Sequence, residues 1–307
     1  MALATCLLLV GTACGGGDEP AEPTPAGGGL VAQVASYDLA VGSQRFIVGL
    51  LTADNRFVSG GTAELRFSFL GGEPAEPGPS VTAPFLAIPG DEPAHEHPES
   101  GGASKGRGVY AAEDVEFDLA GPWQVEVTAE VDGRPATATA AFQVGEEQAV
   151  PAIGEDALRT RNLTLEDVGD APPGAVDSRA EGEGEVPDPE LHDTTIAAGI
   201  RSGRPMVVVM ATPVYCASRF CGPIVDMIED LGEEYGDRAE FIHVEIWRDF
   251  QNQVVNKAAA DWLLHGGNLQ EPWVFFIDQD GVIRGRWDNV ATREEIEPFL
   301  SSLPLLD

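Results

Sequence analysis

The sequence predicts two domains, an all-β antiparallel sandwich followed by an α/β domain. The first observation is the length of 307 residues, which is about twice that of a typical single domain. The second is a series of short stretches with alternating apolar and polar residues between positions 30 and 144, and the third is a change to alternating helix and strand patterns after position 191. Hydrophobic residues make up 43% of the chain, which is enough apolar material for two cores.

The charge balance excludes one class of partner. The formal net charge is -33, and a surface this negative repels the phosphate backbone of nucleic acids. We therefore expect no nucleic-acid partner. The charge is typical of a well-hydrated acidic surface.

The amino-terminal segment is a short apolar run that ends in Thr12, Ala13 and Cys14. It is too short to span a bilayer as a helix, and it resembles the end of a bacterial lipoprotein signal, which is cut before a cysteine that then carries lipid. The resemblance implies a signal over residues 1–14 with lipid on Cys14, a flexible tether over 15–29, and an extracytoplasmic protein anchored to the outer face of the bacterial cytoplasmic membrane. An ordinary cleaved signal or a frayed terminus is the alternative.

Residues 30–145 form the predicted β domain. Turn residues separate its alternating stretches, as at Asp54-Asn55 and Asp132-Gly133, and no helical period occurs between them, which favours an antiparallel sandwich. The region 72–98 is rich in Pro, Gly and Glu and predicts an extended loop. The residues 121–125, Gly-Pro-Trp-Gln-Val, resemble the closing hairpin of immunoglobulin-like bacterial modules of the YtkA and CopC sort, which implies an immunoglobulin-like sandwich.

Residues 146–191 lose all apolar periodicity and predict a linker with an irregular lead-in, and residues 192–307 form the predicted α/β domain. A helix can begin at the caps Thr194-Thr195, and 206–210 is an apolar run suited to a buried strand. Further along, the patterns predict a helix after Pro223, a strand at 241–247, a helix at 250–264, a hairpin with strands at 273–278 and 282–287, and a last helix with a capping box of Thr292 and Glu295.

Two of the four cysteines carry the functional prediction. With Cys6 removed in the signal and Cys14 lipidated, Cys216 and Cys221 remain, and two cysteines this close in an oxidising compartment are expected to pair. They lie between a predicted strand and the amino terminus of a helix, where backbone N–H groups lower the pKa of a thiol. A static disulfide that joins loop to helix is the alternative.

Cys221-Gly222-Pro223 resembles the first three residues of the thioredoxin CGPC motif, with Ile224 in place of the second cysteine. Cys216 supplies the partner in a C-x4-C arrangement. Pro272, just before a predicted strand, is similar to the cis-proline of that family. The resemblance implies an α/β thioredoxin fold, Cys216 and Cys221 as catalytic residues, and Glu271 with Pro272 as the backbone that binds an extended substrate.

Two roles stay open at this point. The alignment with the family favours Cys221 as the attacking thiol, whereas chain order and expected exposure favour Cys216. The predicted strand that precedes the pair contains no acid, so Glu245 on the neighbouring strand is a possible proton acceptor. An exposed or ion-paired strand acid is the alternative for Glu245, because a buried unpaired carboxylate is costly.

The sequence therefore predicts a membrane-tethered thiol-disulfide oxidoreductase that acts on the thiols or disulfides of a protein partner without a cofactor. The alternative is a non-enzymatic binding or copper-delivery lipoprotein with a structural disulfide. His95 and His97 have a His-x-His spacing that could bind a soft or borderline cation, and a Sco-like copper role would use the two cysteines with His265 as the third ligand. His192 and His243 give no functional signal.

Overall fold

The computed structural model describes residues 29–90, 106–166, 168–180 and 184–305. The predicted signal, the lipidated Cys14, most of the tether, and the metal candidates His95 and His97 lie outside the described residues. In the part of the chain that is described, no helix combines the length and apolar character needed to cross a membrane.

Seven strands form the first sheet: β1 (Leu30–Val34), β2 (Gly42–Thr52), β3 (Thr62–Phe69), β4 (Glu76–Ala87), β5 (Gly108–Phe117), β6 (Gly121–Val131) and β7 (Arg134–Val144). Their order is β1-β2-β5-β4-β3-β6-β7, and every neighbouring pair is antiparallel. The two end strands, β1 and β7, pack against each other, and Ala40 forms a bridge with Gly145. The sheet is therefore nearly closed into a barrel.

The barrel interior follows the two-residue period of its strands. β3 buries Ala63, Leu65 and Phe67 and exposes the residues between them. Phe67 meets both Phe46 and Phe117 edge to face, with ring centroids 4.8 Å and 5.3 Å away respectively. This aromatic cluster fills the centre of the barrel, because edge-to-face packing is a favoured arrangement of aromatic rings.

The predicted immunoglobulin-like sandwich is wrong, and β4 is the reason. Residues 76–84 of β4 pair with β3, and residues 85–87 pair with β5, so this strand joins strands that a sandwich would hold in two separate sheets. The region 72–98 was predicted to be a loop because of its prolines, yet β4 lies inside it. The sequence pattern therefore missed the strand that makes the sheet continuous.

A second sheet of four strands has the order β13-β12-β8-β9. Its strands are β8 (Met206–Ala211), β9 (Glu240–Glu245), β12 (Trp273–Ile277) and β13 (Ile283–Asp288). β8 runs parallel to β9 and antiparallel to β12, and all six of its residues are buried, as expected for a central strand covered on both faces. Two short strands, β10 (Trp247–Asp249) and β11 (Val254–Val255), pair with each other beside it.

The described residues contain four α-helices: α1 (Ile196–Ser202), α2 (Cys221–Tyr235), α3 (Lys257–Leu263) and α4 (Arg293–Ser301). The predicted cap of α1 is confirmed, because the side chain of Thr195 accepts a hydrogen bond from the backbone N–H of Ala198. The predicted capping box of Thr292 and Glu295 at α4 is confirmed as well. Both signals depend on residues close in sequence.

The predicted α/β thioredoxin fold is wrong, because the molecule is mostly β. Strands hold 40% of the described residues and helices only 17%. One cause is the region 250–264, which was predicted to be a single helix. Residues 254–255 form a strand that pairs with β10, and α3 begins only at Lys257. The helix in this region is therefore shorter than the sequence pattern indicated.

The barrel and the second sheet share a core. On β2, Phe46 and Val48 point into the barrel, whereas Ile47 between them packs in a cluster with Ile224 and Ile228 of α2. Polar contacts cross the same boundary, since Arg45 of β2 forms ion pairs with two acids of the second sheet and α4. The outer face of the barrel thus serves as a packing surface for the elements that carry the cysteines.

Residues 146–191 were predicted to be a linker and lead-in, and the structure contains two short 3-10 turns there, Pro173–Ala175 and Pro189–His192. Several polar side chains of this segment are buried, among them Asn162, Asp177 and Ser178. A buried irregular segment must satisfy its polar groups through specific contacts. The domain boundaries at 145 and 191 stay predictions.

Candidate functional site

Cys216 and Cys221 form a disulfide, with their Cα atoms 6.0 Å apart. Strand β8 ends at Ala211, the chain continues through a loop over residues 212–220, and α2 begins at Cys221. The disulfide therefore joins this loop to the first residue of the helix.

The two sulfur-bearing residues differ in exposure. Cys221 is completely buried in the core beneath α2, whereas Cys216 is half-buried at the edge of that core. Val214 and Tyr215, just before Cys216, are exposed, and the Tyr215 ring stacks on Phe250 with centroids 4.0 Å apart. A molecule that approaches from solvent meets Cys216 first, beside an apolar and aromatic surface.

Two polar features beside the sulfurs can stabilise a thiolate. No side chain caps the amino terminus of α2, so the positive end of the helix dipole acts directly on Cys221. The hydroxyl oxygen of Ser218 lies 3.2 Å from Sγ of Cys216 and can donate a hydrogen bond to it. Arg219 is exposed on the same loop, with a left-handed φ of 63°.

Glu271 is the acid beside the disulfide. One of its carboxylate oxygens and the two sulfurs all lie within 4.8 Å of one another, and the peptide bond between Glu271 and Pro272 is cis. Burial, with a smaller contribution from the negative charge of Glu245, raises the pKa of Glu271 to about 7. The sequence prediction gave Glu271 a backbone role only, so the position of its side chain is a new finding.

The backbone of Glu271 is held from the barrel side. Its carbonyl oxygen accepts a hydrogen bond of 2.9 Å from the hydroxyl of Tyr37, which lies between β1 and β2. The carbonyl oxygen of Pro272 accepts a bond from the N–H of Asn289. The predicted substrate-binding role of Glu271 and Pro272 stays a prediction, and Tyr37 already occupies one of the lone pairs that an extended substrate would use.

Glu245, the predicted proton acceptor, lies in a different environment. It is 1% exposed, and its carboxylate accepts hydrogen bonds from the N–H groups of Ser178 and Trp247, at 2.9 Å and 3.1 Å respectively. Burial raises its pKa, and these bonds together with the nearby His243 oppose the rise. Among the described residues, Glu271 rather than Glu245 groups with the two sulfurs.

His265, the copper candidate for the cysteine site, is exposed, and its Nε2 atom lies 2.9 Å from the carbonyl oxygen of Trp262. Within the described part of the chain, the metal-ligating group that contains the two sulfurs includes Glu271 and not His265. The structure therefore does not bring the predicted Sco-like set together.

A second group of possible metal ligands was missed by the sequence analysis. Asp177, His192 and His243 are all buried, and one ligand atom from each lies within 4.8 Å of the other two. Asp177 comes from the segment predicted to be a linker, and the two histidines are far apart in sequence, one just before α1 and one on β9. No ligand spacing in the sequence could have shown this group, because the fold alone brings its members together.

No protein-family model, no curated protein and no solved structure matches this chain. The functional argument accordingly depends on the side chains of the two sites. The disulfide site offers sulfur chemistry and a carboxyl group, and the Asp-His-His group offers nitrogen and oxygen ligands.

Proposed function

We propose that the Cys216–Cys221 pair exchanges between disulfide and dithiol with the thiols of a protein partner. The observation that carries the proposal is the asymmetry of the pair: Cys216 is half-buried at the surface, whereas Cys221 is buried at the start of α2 next to the carboxyl group of Glu271. A purely structural disulfide requires neither a difference in burial between its two cysteines nor a titratable acid beside it.

The first chemical step follows from this asymmetry. A partner thiolate attacks Sγ of Cys216, the bond between the two sulfurs breaks, and Cys221 leaves as a thiolate that the uncapped helix terminus stabilises. Glu271, whose pKa of about 7 keeps a substantial fraction protonated at neutral pH, donates a proton to that thiolate. The result is a mixed disulfide between Cys216 and the partner.

The second step completes the electron balance. A second thiolate of the partner attacks the partner's sulfur in the mixed disulfide, and Cys216 leaves and takes a proton from solvent. The partner has then gained a disulfide, and the pair has become a dithiol. The same steps in reverse reduce a partner disulfide, with the Glu271 carboxylate accepting the proton of Cys221.

Outside the cytoplasm is the compartment that suits this chemistry, since a disulfide persists in oxidising surroundings. As part of the proposal, lipid on Cys14 tethers the protein to the outer face of the bacterial cytoplasmic membrane. Exchange is a better match than copper delivery, because the third group beside the two sulfurs is the Glu271 carboxylate rather than His265.

Single-cysteine variants test the proposal. We expect Cys221→Ser, which leaves the half-buried Cys216, to form a mixed disulfide with oxidised glutathione at least about 10-fold faster than Cys216→Ser, which leaves the fully buried Cys221. Intact-protein mass spectrometry over time measures both rates, and circular dichroism checks that both variants are folded. Equal rates, a reversed order, or no adduct on folded Cys221→Ser would each refute the exchange function.

A further inference from the structure

The buried group of Asp177, His192 and His243 has polar atoms that the described protein does not satisfy. Nδ1 and Nε2 of His192 and Nδ1 of His243 make no hydrogen bond to any described residue, and both histidines are at most 1% exposed. A buried polar atom without a partner is costly, because it has given up its hydrogen bonds to water and gained none in return. Two of these atoms, Nε2 of His192 and Nδ1 of His243, face the same carboxylate oxygen of Asp177, which indicates that something else occupies the space between them.

The distances between the ligand atoms match metal coordination better than hydrogen bonding. Oδ2 of Asp177 lies 3.5 Å from Nε2 of His192 and 3.3 Å from Nδ1 of His243. Hydrogen bonds between nitrogen and oxygen usually measure about 2.7–3.2 Å. Ligands bound at about 2.0–2.1 Å in a tetrahedral zinc site lie about 3.3–3.5 Å from each other, as simple geometry requires.

The tautomer of His243 gives an independent argument. Its Nε2 atom lies 3.2 Å from the carbonyl oxygen of Ala211, an acceptor to which it can only donate. In a neutral imidazole this leaves Nδ1 with a bare lone pair, which faces the carboxylate of Asp177. Two acceptors repel each other unless a proton or a metal ion lies between them, and a ligating histidine commonly donates its other N–H to a backbone carbonyl.

The charge around the group is also suited to a cation. The guanidinium of Arg179 contacts three carboxylates, with nitrogen–oxygen distances of 2.7 Å to Asp177, 2.5 Å to Asp188 and 3.3 Å to Asp226. One positive charge against three negative charges leaves an excess that a divalent ion can offset. The Oδ2 atom of Asp177 that faces the histidines also accepts a hydrogen bond of 2.7 Å from Nη2 of Arg179, so an ion would share this oxygen with the guanidinium.

We propose that Asp177, His192 and His243 bind a divalent transition-metal ion of the zinc type. Two imidazoles and one carboxylate form a borderline ligand set that suits Zn²⁺ better than the all-oxygen sites of Mg²⁺ or Ca²⁺. Because all three side chains are buried, the ion serves the structure: it joins the irregular segment that contains Asp177 to β9 through His243.

Ser178, the residue after Asp177, connects the proposed metal site to the loop that contains Cys216. The N–H of Ser178 donates to Glu245, and its hydroxyl accepts a bond of 3.2 Å from the N–H of Val214, two residues before Cys216. An ion that holds Asp177 in place therefore also holds Ser178, whose hydrogen bonds support this loop. The metal site does not depend on the redox proposal, because none of its three ligands touches the sulfurs.

Metal analysis of the full chain with the disulfide kept oxidised tests this inference, since oxidised cysteines cannot ligate zinc. We expect about one zinc per chain by plasma mass spectrometry after growth with zinc, and a rise in melting temperature when Zn²⁺ is added to chelator-treated protein. Asp177→Asn and His192→Ala should lose the zinc, and the control His265→Ala should retain it.

Replacement of zinc by Co²⁺ gives a readout that does not require the variants to fold. Tetrahedral nitrogen and oxygen coordination in the native chain produces visible absorption bands of Co²⁺ that are intense compared with those of the hydrated ion. Absence of bound zinc together with no thermal shift and no such bands would overturn the proposal. Zinc retained equally by folded Asp177→Asn and by the His265→Ala control would overturn it as well.

Discussion

Replacing Arg45 by methionine is expected to lower the free energy of unfolding by about 3–5 kcal/mol, because the substitution removes a buried cation that pairs with the buried carboxylate of Asp288 and the half-buried carboxylate of Glu295. The side chain of Arg45 is 9% exposed, and its guanidinium lies 2.8 Å from Glu295 and 3.7 Å from Asp288. It also pairs with Glu113 at 3.0 Å. Arg45 therefore joins the barrel to both β13 and the start of α4.

The pH dependence of this loss has a defined sign. Burial raises the pKa of Asp288 in the folded state, and the positive charge of Arg45 opposes that rise. Without Arg45 the pKa of Asp288 rises further, so the penalty for its charge is largest at neutral pH. Below the pKa of an unfolded aspartate, near pH 4, the carboxyl is protonated in both states and the destabilisation becomes smaller.

Urea unfolding at pH 7 and pH 4 measures both effects, with Arg66→Met as the matched control. Arg66 forms an ion pair of 3.6 Å with Glu126, and the two side chains are 71% and 44% exposed. Exposed pairs of this kind contribute about 0–1 kcal/mol. Similar losses of unfolding free energy for Arg45→Met and Arg66→Met would show that Arg45 does not stabilise the contact between the barrel and the second sheet.

The second large effect is expected at Glu271. Replacing it by glutamine removes the proton donor for the departing Cys221, and we expect reduction of the disulfide by dithiothreitol at pH 7 to slow about 100-fold. The pKa of Glu271, raised to about 7, also predicts a pH signature. The advantage of the native chain over Glu271→Gln should shrink as pH rises above 7, because the carboxyl loses the proton that it donates.

Stopped-flow reduction followed by intrinsic fluorescence gives these rates across the pH range. Glu116→Gln serves as the control, because Glu116 is an exposed acid on the barrel strand β5. Its rate should match that of the native chain at every pH. A rate for Glu271→Gln within a factor of about two of the native rate would remove Glu271 from the mechanism and return attention to Glu245.

Local features of the fold could be predicted from the sequence, because neighbouring residues determine them. The cap at Thr195, the capping box of Thr292 and Glu295, and the buried strand at 206–210 depend on contacts within a few residues. The closure of the barrel could not be predicted. It depends on β4 changing partner at Pro84, and a proline-rich stretch gives no pairing signal.

Some residues of the candidate site could also be predicted from the sequence, and others could not. The cysteine pair could be identified because both residues lie near the junction of a strand and a helix. The nearness of the Glu271 side chain to the sulfurs could not, since Glu271 lies 50 residues beyond Cys221 and reaches it through the second sheet. Asp177 was hidden in an irregular segment whose composition is typical of linkers, and composition does not report burial.

The reduction potential of the Cys216–Cys221 pair tests the central claim most directly. Equilibration of the purified chain with glutathione buffers of known ratio, followed by acid quenching and alkylation of free thiols, measures it. The exchange function predicts a value clearly above about -300 mV, in the range of pairs that equilibrate with partner thiols. A value below about -300 mV would mark a stable structural disulfide and contradict the proposed function.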